Sequence, residues 1–128
     1  MNYYDDYNNR RKFVSHMVEF DKDQMFEIST GNLMGLSVDQ IALYARPEWS
    51  YLIMRHIKHA MLELMDMDKV KYMADPRFNY PQMNLIKRAF DEGLSIDDVK
   101  QFSGNDNMSY SQMHDMYTEM MKKKKAMD

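Results

Sequence analysis

Residues 49–77 read WSYLIMRHIKHAMLELMDMDKVKYMADPR, and residues 78–107 read FNYPQMNLIKRAFDEGLSIDDVKQFSGNDN. Laid over each other, the two stretches place apolar residues on apolar residues, as Ile57 on Ile86. The step between them is 29 residues, a length typical of helical repeats. This fixed period predicts a protein built from tandem helical units.

The same pattern extends on both sides of these two stretches. Upstream, the repeat occupies residues 20–48, where Ile28 takes the place of Ile57. Downstream, a step of 30 residues places Met116 at this position, so that residues 108–128 form a half repeat with a basic tail. We therefore predict about three and a half repeats.

Helix-capping residues test the alignment independently, because they follow local backbone chemistry rather than hydrophobic pattern. Each repeat has one position with a side chain that caps helix N-termini well, and a second such position 16 residues later in the complete repeats. The first set is Asp21, Ser50, Asn79 and Ser109, and the second set is Ser37, Asp66 and Ser95. Each complete repeat is therefore predicted to hold a longer helix followed by a shorter one.

Residues that end helices occupy the expected places between these caps. Gly35 and Gly93 lie where a left-handed residue would end the longer helix. The middle repeat has Leu64 at this position, so its longer helix is predicted to end differently. Pro47 and Pro76 close the shorter helices, because proline disfavours the helical conformation in the residue before it.

The caps and breakers together define the helices and the fold class. The predicted helices span residues 22–34, 38–45, 51–64, 67–74, 80–92, 96–102 and 110–124, after a frayed end at 1–8 and an N-terminal capping helix at 9–20. One hairpin cannot bury its own apolar stripe, whereas stacked copies share a continuous core. The predicted fold is all-α: a short right-handed α-solenoid-like stack of helix hairpins in a single domain, residues 1–128.

The motifs of the first and third repeats resemble a known kind of repeat. Residues 35–41 read GLSVDQI, residues 44–49 read YARPEW, and residues 93–99 read GLSIDDV. They resemble degenerate helical-hairpin repeats of proteins from Gram-positive gut bacteria and from their phages and mobile elements, and the resemblance covers residues 20–121. It implies a helical module without catalytic residues. With an acidic chain, it also suggests an inhibitor of a host defence nuclease, of the anti-CRISPR type.

Composition restricts the class of protein further. The chain has 128 residues, 45% of them hydrophobic, and its sixteen methionines favour an adaptable helical core. The absence of cysteine excludes disulfides and thiol nucleophiles. No basic and apolar leader opens the sequence, and no apolar run approaches the 18 or more residues of a membrane span, so we predict a cytoplasmic protein without a membrane partner.

No catalytic or metal-binding pattern is present in the sequence. His56 and His59 are three residues apart, which could place both imidazoles on one helix face, but a third ligand at a recognised spacing is missing. The glycines are too few and too scattered to cradle a phosphate. We predict a non-enzymatic protein with no cofactor and no metal.

Two kinds of side chain are candidates for binding a macromolecule. The first helical position of three repeats is tyrosine, and the long helices of the second and third repeats carry a basic ridge. The candidates are Tyr51, Tyr80 and Tyr110 for the tyrosines, and Arg55, Lys58, Lys87 and Arg88 for the ridge. Aromatic residues are enriched at protein interfaces, whereas cations flanked by aromatics also suit single-stranded nucleic acid.

The charge distribution favours a protein partner over a nucleic acid. Residues 1–121 carry a net charge of −6, and the basic residues 122–125 follow them. A nucleic-acid-binding surface needs lysine and arginine clustered on one face. Our prediction is a module that binds another protein, with direct nucleic-acid binding through the ridge as the alternative and a self-associating structural component as a third possibility.

Overall fold

The structure is a computed structural model, and it describes residues 20–127. Within this range the chain forms helices and no strand. The helices are α1 (Lys22–Leu33), α2 (Val38–Tyr44), α3 (Tyr51–Leu62), α4 (Met67–Met73), α5 (Tyr80–Asp91), α6 (Ile96–Ser103) and α7 (Tyr110–Met127). Each begins at the predicted residue, and the largest difference at a C-terminus is in α7, which continues past residue 124 to Met127. The all-α prediction is confirmed, while the capping helix at 9–20 and the frayed end at 1–8 lie outside the described residues, apart from Phe20.

The capping residues explain why the helix starts could be predicted so closely. The Asp21 carboxylate accepts a hydrogen bond from the Gln24 backbone N–H at 2.8 Å, and the Gln24 side chain accepts one from the Asp21 N–H at 2.9 Å. The same reciprocal capping box forms at Ser37, Asn79, Ser95 and Ser109. Ser50 and Asp66 also accept a bond from the first turn of their helices. Both predicted sets of N-caps are confirmed.

The long helices of the three complete repeats end in the same way, which corrects one prediction. Gly35 and Gly93 have positive φ angles of 97° and 94°, as expected. Leu64 takes the same left-handed conformation, with φ of 63°, and the hydrogen bond from Met65 N–H to Ala60 O completes a Schellman motif. The prediction that this helix ends differently is wrong, because the motif imposes the backbone conformation whichever residue is present.

The chain divides into two compact units, the first ending at Met65 and the second beginning at Asp66. In the first unit, α1 packs against α2 and α3, and α2 packs against α3. In the second unit, α5 packs against α4, α6 and α7, and α6 packs against α7. The boundary falls within the predicted repeat 49–77, between its longer and its shorter helix.

Equivalent positions of the repeats have equivalent burial. On the long helices, Ile28, Ile57 and Ile86 are 3%, 0% and 0% exposed. On the short helices the same is true of two sets, Ile41, Val70 and Val99, and Tyr44, Met73 and Phe102. A second position on the long helices holds only small residues in the three complete repeats, Gly31, Ala60 and Ala89. In the first unit the reason is visible, because a Cβ on Gly31 would overlap the Tyr44 hydroxyl.

Two glutamines connect consecutive repeats within their units. Besides its capping box, Gln24 donates its side-chain amide to the carbonyl oxygens of Pro47 and Trp49, at 3.0 and 2.6 Å. Gln82 donates in the same way to Met108 O at 2.8 Å, and Met108 occupies the repeat position of Trp49. One side chain thus caps a helix and holds the start of the next repeat against it.

Candidate functional site

The predicted basic ridge is interrupted in the first unit, because Lys58 is buried. Its side chain is 5% exposed, and its ammonium donates to Glu27 Oε1 at 3.0 Å and to Thr30 Oγ1 at 2.8 Å. Arg55 donates to the same Glu27 oxygen at 3.2 Å and lies 5.3 Å from the ring centroid of Tyr51. The prediction of an exposed lysine at position 58 is therefore wrong: a buried carboxylate on the preceding long helix draws it into the core.

Glu27 is the centre of this buried polar cluster. Its side chain is fully buried, and none of the described residues donates a hydrogen bond to its second oxygen, Oε2. The Tyr44 hydroxyl donates to the Glu27 backbone oxygen at 2.9 Å. Burial, with a smaller contribution from the nearby Glu27 charge, raises the pKa of Tyr44 well above its usual value. The cluster lies between α1, α2 and α3, and of its charged side chains Glu27 and Lys58 are buried while Arg55 is 44% exposed.

In the second unit the two predicted basic residues have different environments. Lys87 has a side chain that is 14% exposed and pairs with Asp91 one turn later at 2.9 Å. Arg88 is 64% exposed, lies 3.6 Å from Glu92, and places its guanidinium 5.7 Å from the ring centroid of Tyr117. Of the four basic candidates, Arg88 is the most exposed.

Arg88 belongs to a groove of about 310 Å³ between α5 and α7, which we call the basic groove. Its described lining is Arg88, Glu92, His114, Tyr117, Thr118, Met121, Lys122 and Lys125. The structure thus brings a predicted ridge residue together with two lysines of the predicted basic tail. Sequence reasoning did not place His114 or Tyr117 in a site.

Tyr117 forms the floor of the basic groove. It is 4% exposed, and its hydroxyl donates to Glu92 Oε2 at 2.5 Å. Burial, reinforced by the hydrogen bond to Glu92, raises the pKa of Tyr117 to about 12. Its ring lies 6.4 Å from that of His114, which in turn is 5.7 Å from that of Tyr110. The groove therefore has an aromatic wall beneath its cations.

The three predicted tyrosines lie at the first position of their long helices. Tyr80 is 37% exposed and Tyr110 is 41% exposed, whereas Tyr51 is partly covered. Tyr110 extends the aromatic wall of the basic groove through His114. A ladder formed by all three tyrosines stays a prediction, since they are divided between the two units.

A second groove, of about 500 Å³, lies between α6 and α7, and we call it the methionine groove. Its lining is Asp98, Gln101, Phe102, Asp115, Met116, Glu119, Met120, Lys123, Lys124 and Met127. A hydrogen bond from the Ser95 backbone lowers the pKa of Asp98, so this carboxylate is charged at neutral pH. Lys124 approaches Asp98 to 3.8 Å. The two grooves occupy opposite sides of α7.

Among residues 20–127 no group of three or more histidine, aspartate or glutamate side chains is placed to hold a metal ion. None of the helices in that range has the length and apolar character needed to cross a membrane.

Comparison of the chain with known protein families, with curated proteins and with solved structures gave no match. The resemblance to repeats of Gram-positive bacteria and their mobile elements therefore stays a prediction.

Proposed function

We propose that this protein is a non-enzymatic binding module whose basic groove holds an acidic segment of another protein. The observation that carries the proposal is the convergence of Arg88, Lys122 and Lys125 around the buried ring of Tyr117. A carboxylate of the partner would meet these cations, while an apolar side chain would pack on the aromatic wall. Arginine and tyrosine are among the residue types enriched at the positions that contribute most of the binding energy of protein interfaces.

The arrangement of charges favours a protein segment over a nucleic acid. Lys58 is buried, Lys87 pairs with Asp91, and Arg55 pairs with Glu27, so these members of the predicted ridge do not form an open line of cations. Nucleic-acid affinity grows with the number of phosphates that are neutralised, and a short groove that also contains Glu92 neutralises few. A short acidic peptide requires no more than the groove provides.

The test titrates two defined probes against the wild type and two variants. A fluorescent peptide of alternating glutamate and leucine and a single-stranded oligonucleotide are titrated against the wild type, against Lys122→Glu/Lys125→Glu, and against the matched control Lys71→Glu/Lys100→Glu. Lys71 and Lys100 are exposed lysines of the same unit that lie outside the groove lining. Because exposed ion pairs are each worth up to about 1 kcal/mol, the groove variant should lose about tenfold in peptide affinity and the control should lose none.

The two classes of partner give different results in this titration. Peptide binding that survives moderate salt, with weak oligonucleotide binding, supports the proposal. Oligonucleotide binding that is tighter than peptide binding and falls steeply with salt would show that the groove binds nucleic acid instead of a protein segment. Equal peptide affinity for all three proteins would refute the role of the groove.

We further propose that the repeats stack as a short right-handed solenoid. Consecutive long helices pack directly in each unit, α1 against α3 and α5 against α7, and this shared packing supports the proposal. Small-angle X-ray scattering of the whole chain tests it, since a solenoid and two independently tumbling units differ in their distance distributions.

A narrower form of the proposed function is inhibition of a host defence nuclease. It is supported by the resemblance of the repeats and by the net charge of −6 over residues 1–121. A panel of purified CRISPR nucleases, assayed for DNA cleavage with and without the protein, would test it. Full activity of the whole panel would contradict it without affecting the binding proposal.

A further inference from the structure

The methionine groove leaves open a face of α7 that is buried in the preceding repeat. Met116 and Met120 occupy the repeat positions of Ile86 and Phe90. Ile86 is 0% exposed and Phe90 is 5% exposed, whereas Met116 is 42% exposed. Met120 is partly buried, so these two core positions of the repeat are only partly covered in the described part of the chain, and exposed apolar surface of this kind marks an interaction site.

A short helix of the kind found in the earlier repeats does not suit this face. Lys123 stands at the repeat position of Gly93, where the hairpin turn begins, but α7 continues through it to Met127. Glu119 stands where the earlier long helices have only glycine or alanine, the residue type that allows close approach of the short helix. The cover for Met116 and Met120 must therefore be of another type.

The distribution of charge along α7 indicates what kind of partner covers Met116 and Met120. On the face lining the methionine groove, Asp115 and Glu119 lie in the first part of the helix and Lys123 and Lys124 in the second part. A parallel copy of the helix would place like charges opposite each other, whereas an antiparallel copy would place the acidic half of each helix opposite the basic half of the other. The pattern is self-complementary about a point near Met120.

We propose that α7 pairs with the α7 of a second copy of this chain in an antiparallel, two-fold symmetric dimer. The methionines of the two grooves meet at the centre, and the acidic and basic ends form ion pairs on either side. Two-fold symmetry is the commonest arrangement of homo-oligomers and uses the same patch on both chains. The 18 residues of α7 give a contact line of about 27 Å. The basic groove lies on the opposite side of α7, so the dimer does not depend on the function proposed above.

Two charge-reversal variants test the dimer. Sedimentation equilibrium of the wild type should show a concentration-dependent mass approaching twice the 15.4 kDa of one chain. Asp115→Lys/Glu119→Lys and Lys123→Glu/Lys124→Glu should each sediment as monomers, because like charges then face each other. An equimolar mixture of the two variants should recover the dimer mass, which also shows that both variants are folded.

Cross-linking tests the antiparallel register separately. The sequence contains no cysteine, so one introduced cysteine has only its symmetry mate to react with. Met120→Cys should form a disulfide-linked dimer on mild oxidation, whereas Thr118→Cys, in the lining of the basic groove, should not. A wild type that stays monomeric at millimolar concentration, or variants that fail to associate when mixed, would overturn the proposal.

Discussion

Replacing Lys58 with methionine should destabilise the first unit strongly, although lysine is ordinarily a surface residue. Methionine keeps the length and apolar stem of the side chain but removes the ammonium that lies 3.0 Å from Glu27 Oε1. The side chains of Glu27 and Lys58 are 0% and 5% exposed, so water does not take the place of the lost ammonium beside the carboxylate. Removing one partner of a buried ion pair costs about 3–5 kcal/mol. Because Arg55 still reaches Glu27 at 3.2 Å, we expect a value near the lower end of that range.

The single tryptophan makes this prediction measurable for the first unit alone. Trp49 is 5% exposed and lies in that unit, so its fluorescence reports unfolding there. Urea is the suitable denaturant because it does not screen charges. With a slope of about 1.5 kcal/mol per molar, a loss of about 3 kcal/mol lowers the urea midpoint by about 2 M. Lys22→Met, at an exposed lysine of the same unit, should stay within about 0.5 kcal/mol of the wild type.

A double variant separates the ion pair from other effects of the substitution. Glu27→Leu/Lys58→Met removes both buried charges, and replacing a buried pair with apolar side chains is often close to neutral. We expect the double variant to recover most of the stability that Lys58→Met loses, which gives a large coupling energy in the double-mutant cycle. A Lys58→Met protein within about 1 kcal/mol of the wild type would refute the buried pair as the reason for the position of Lys58.

Three further substitutions test the turn, the repeat connection and the basic groove. Leu64→Gly should stabilise the protein by about 1 kcal/mol in thermal or urea unfolding, because Leu64 is 90% exposed and holds a left-handed conformation that glycine adopts without strain. Gln24→Ala should cost about 2 kcal/mol more than Gln112→Ala in the same assay. Both variants lose a capping box, but Gln24 also loses its bonds to the carbonyl oxygens of Pro47 and Trp49, the second of which belongs to the next repeat. Equal losses would contradict the connecting role. Because folding raises the pKa of Tyr117 to about 12, the neutral phenol stabilises the folded protein. This contribution to the free energy of unfolding should be complete below pH 10 and lost as the pH rises towards 12. Tyrosinate absorbance and urea unfolding, measured at each pH, should show a smaller loss of stability in Tyr117→Phe than in the wild type.

Helix positions were predictable because their signals are local. An N-cap side chain such as Ser37 bonds to a backbone amide three residues away, so the sequence contains both partners within one turn. Leu64 shows the limit of such reasoning, since residue preference suggested a different helix end there. The backbone hydrogen bonds of the Schellman motif outweigh the cost of a left-handed leucine.

The burial of Lys58 could not be predicted because it depends on a contact between unlike positions of two repeats. Aligning the repeats compares Lys58 with Lys87 and Ser29, whereas its actual partner, Glu27, is 31 residues away and aligns with His56. Periodicity reports which positions share an environment, but it gives no information on which positions contact each other across a repeat boundary. Because lysine is usually exposed, residue type predicted a surface position for Lys58, whereas the structure places it in the core.

The positions at which α7 departs from the repeat explain why both grooves lie beside this helix. A position that every repeat needs for packing has little freedom, as the series Ile28, Ile57 and Ile86 shows. Tyr117 replaces Lys87 and creates the aromatic floor of the basic groove, while Glu119 replaces Ala89 and keeps the methionine groove open. On the side of α7 that lines the methionine groove, three methionines lie among the charged residues. A helix face that contacted only water would gain nothing from these methionines. We therefore expect that binding specificity resides in α7 rather than in the positions that the repeats share.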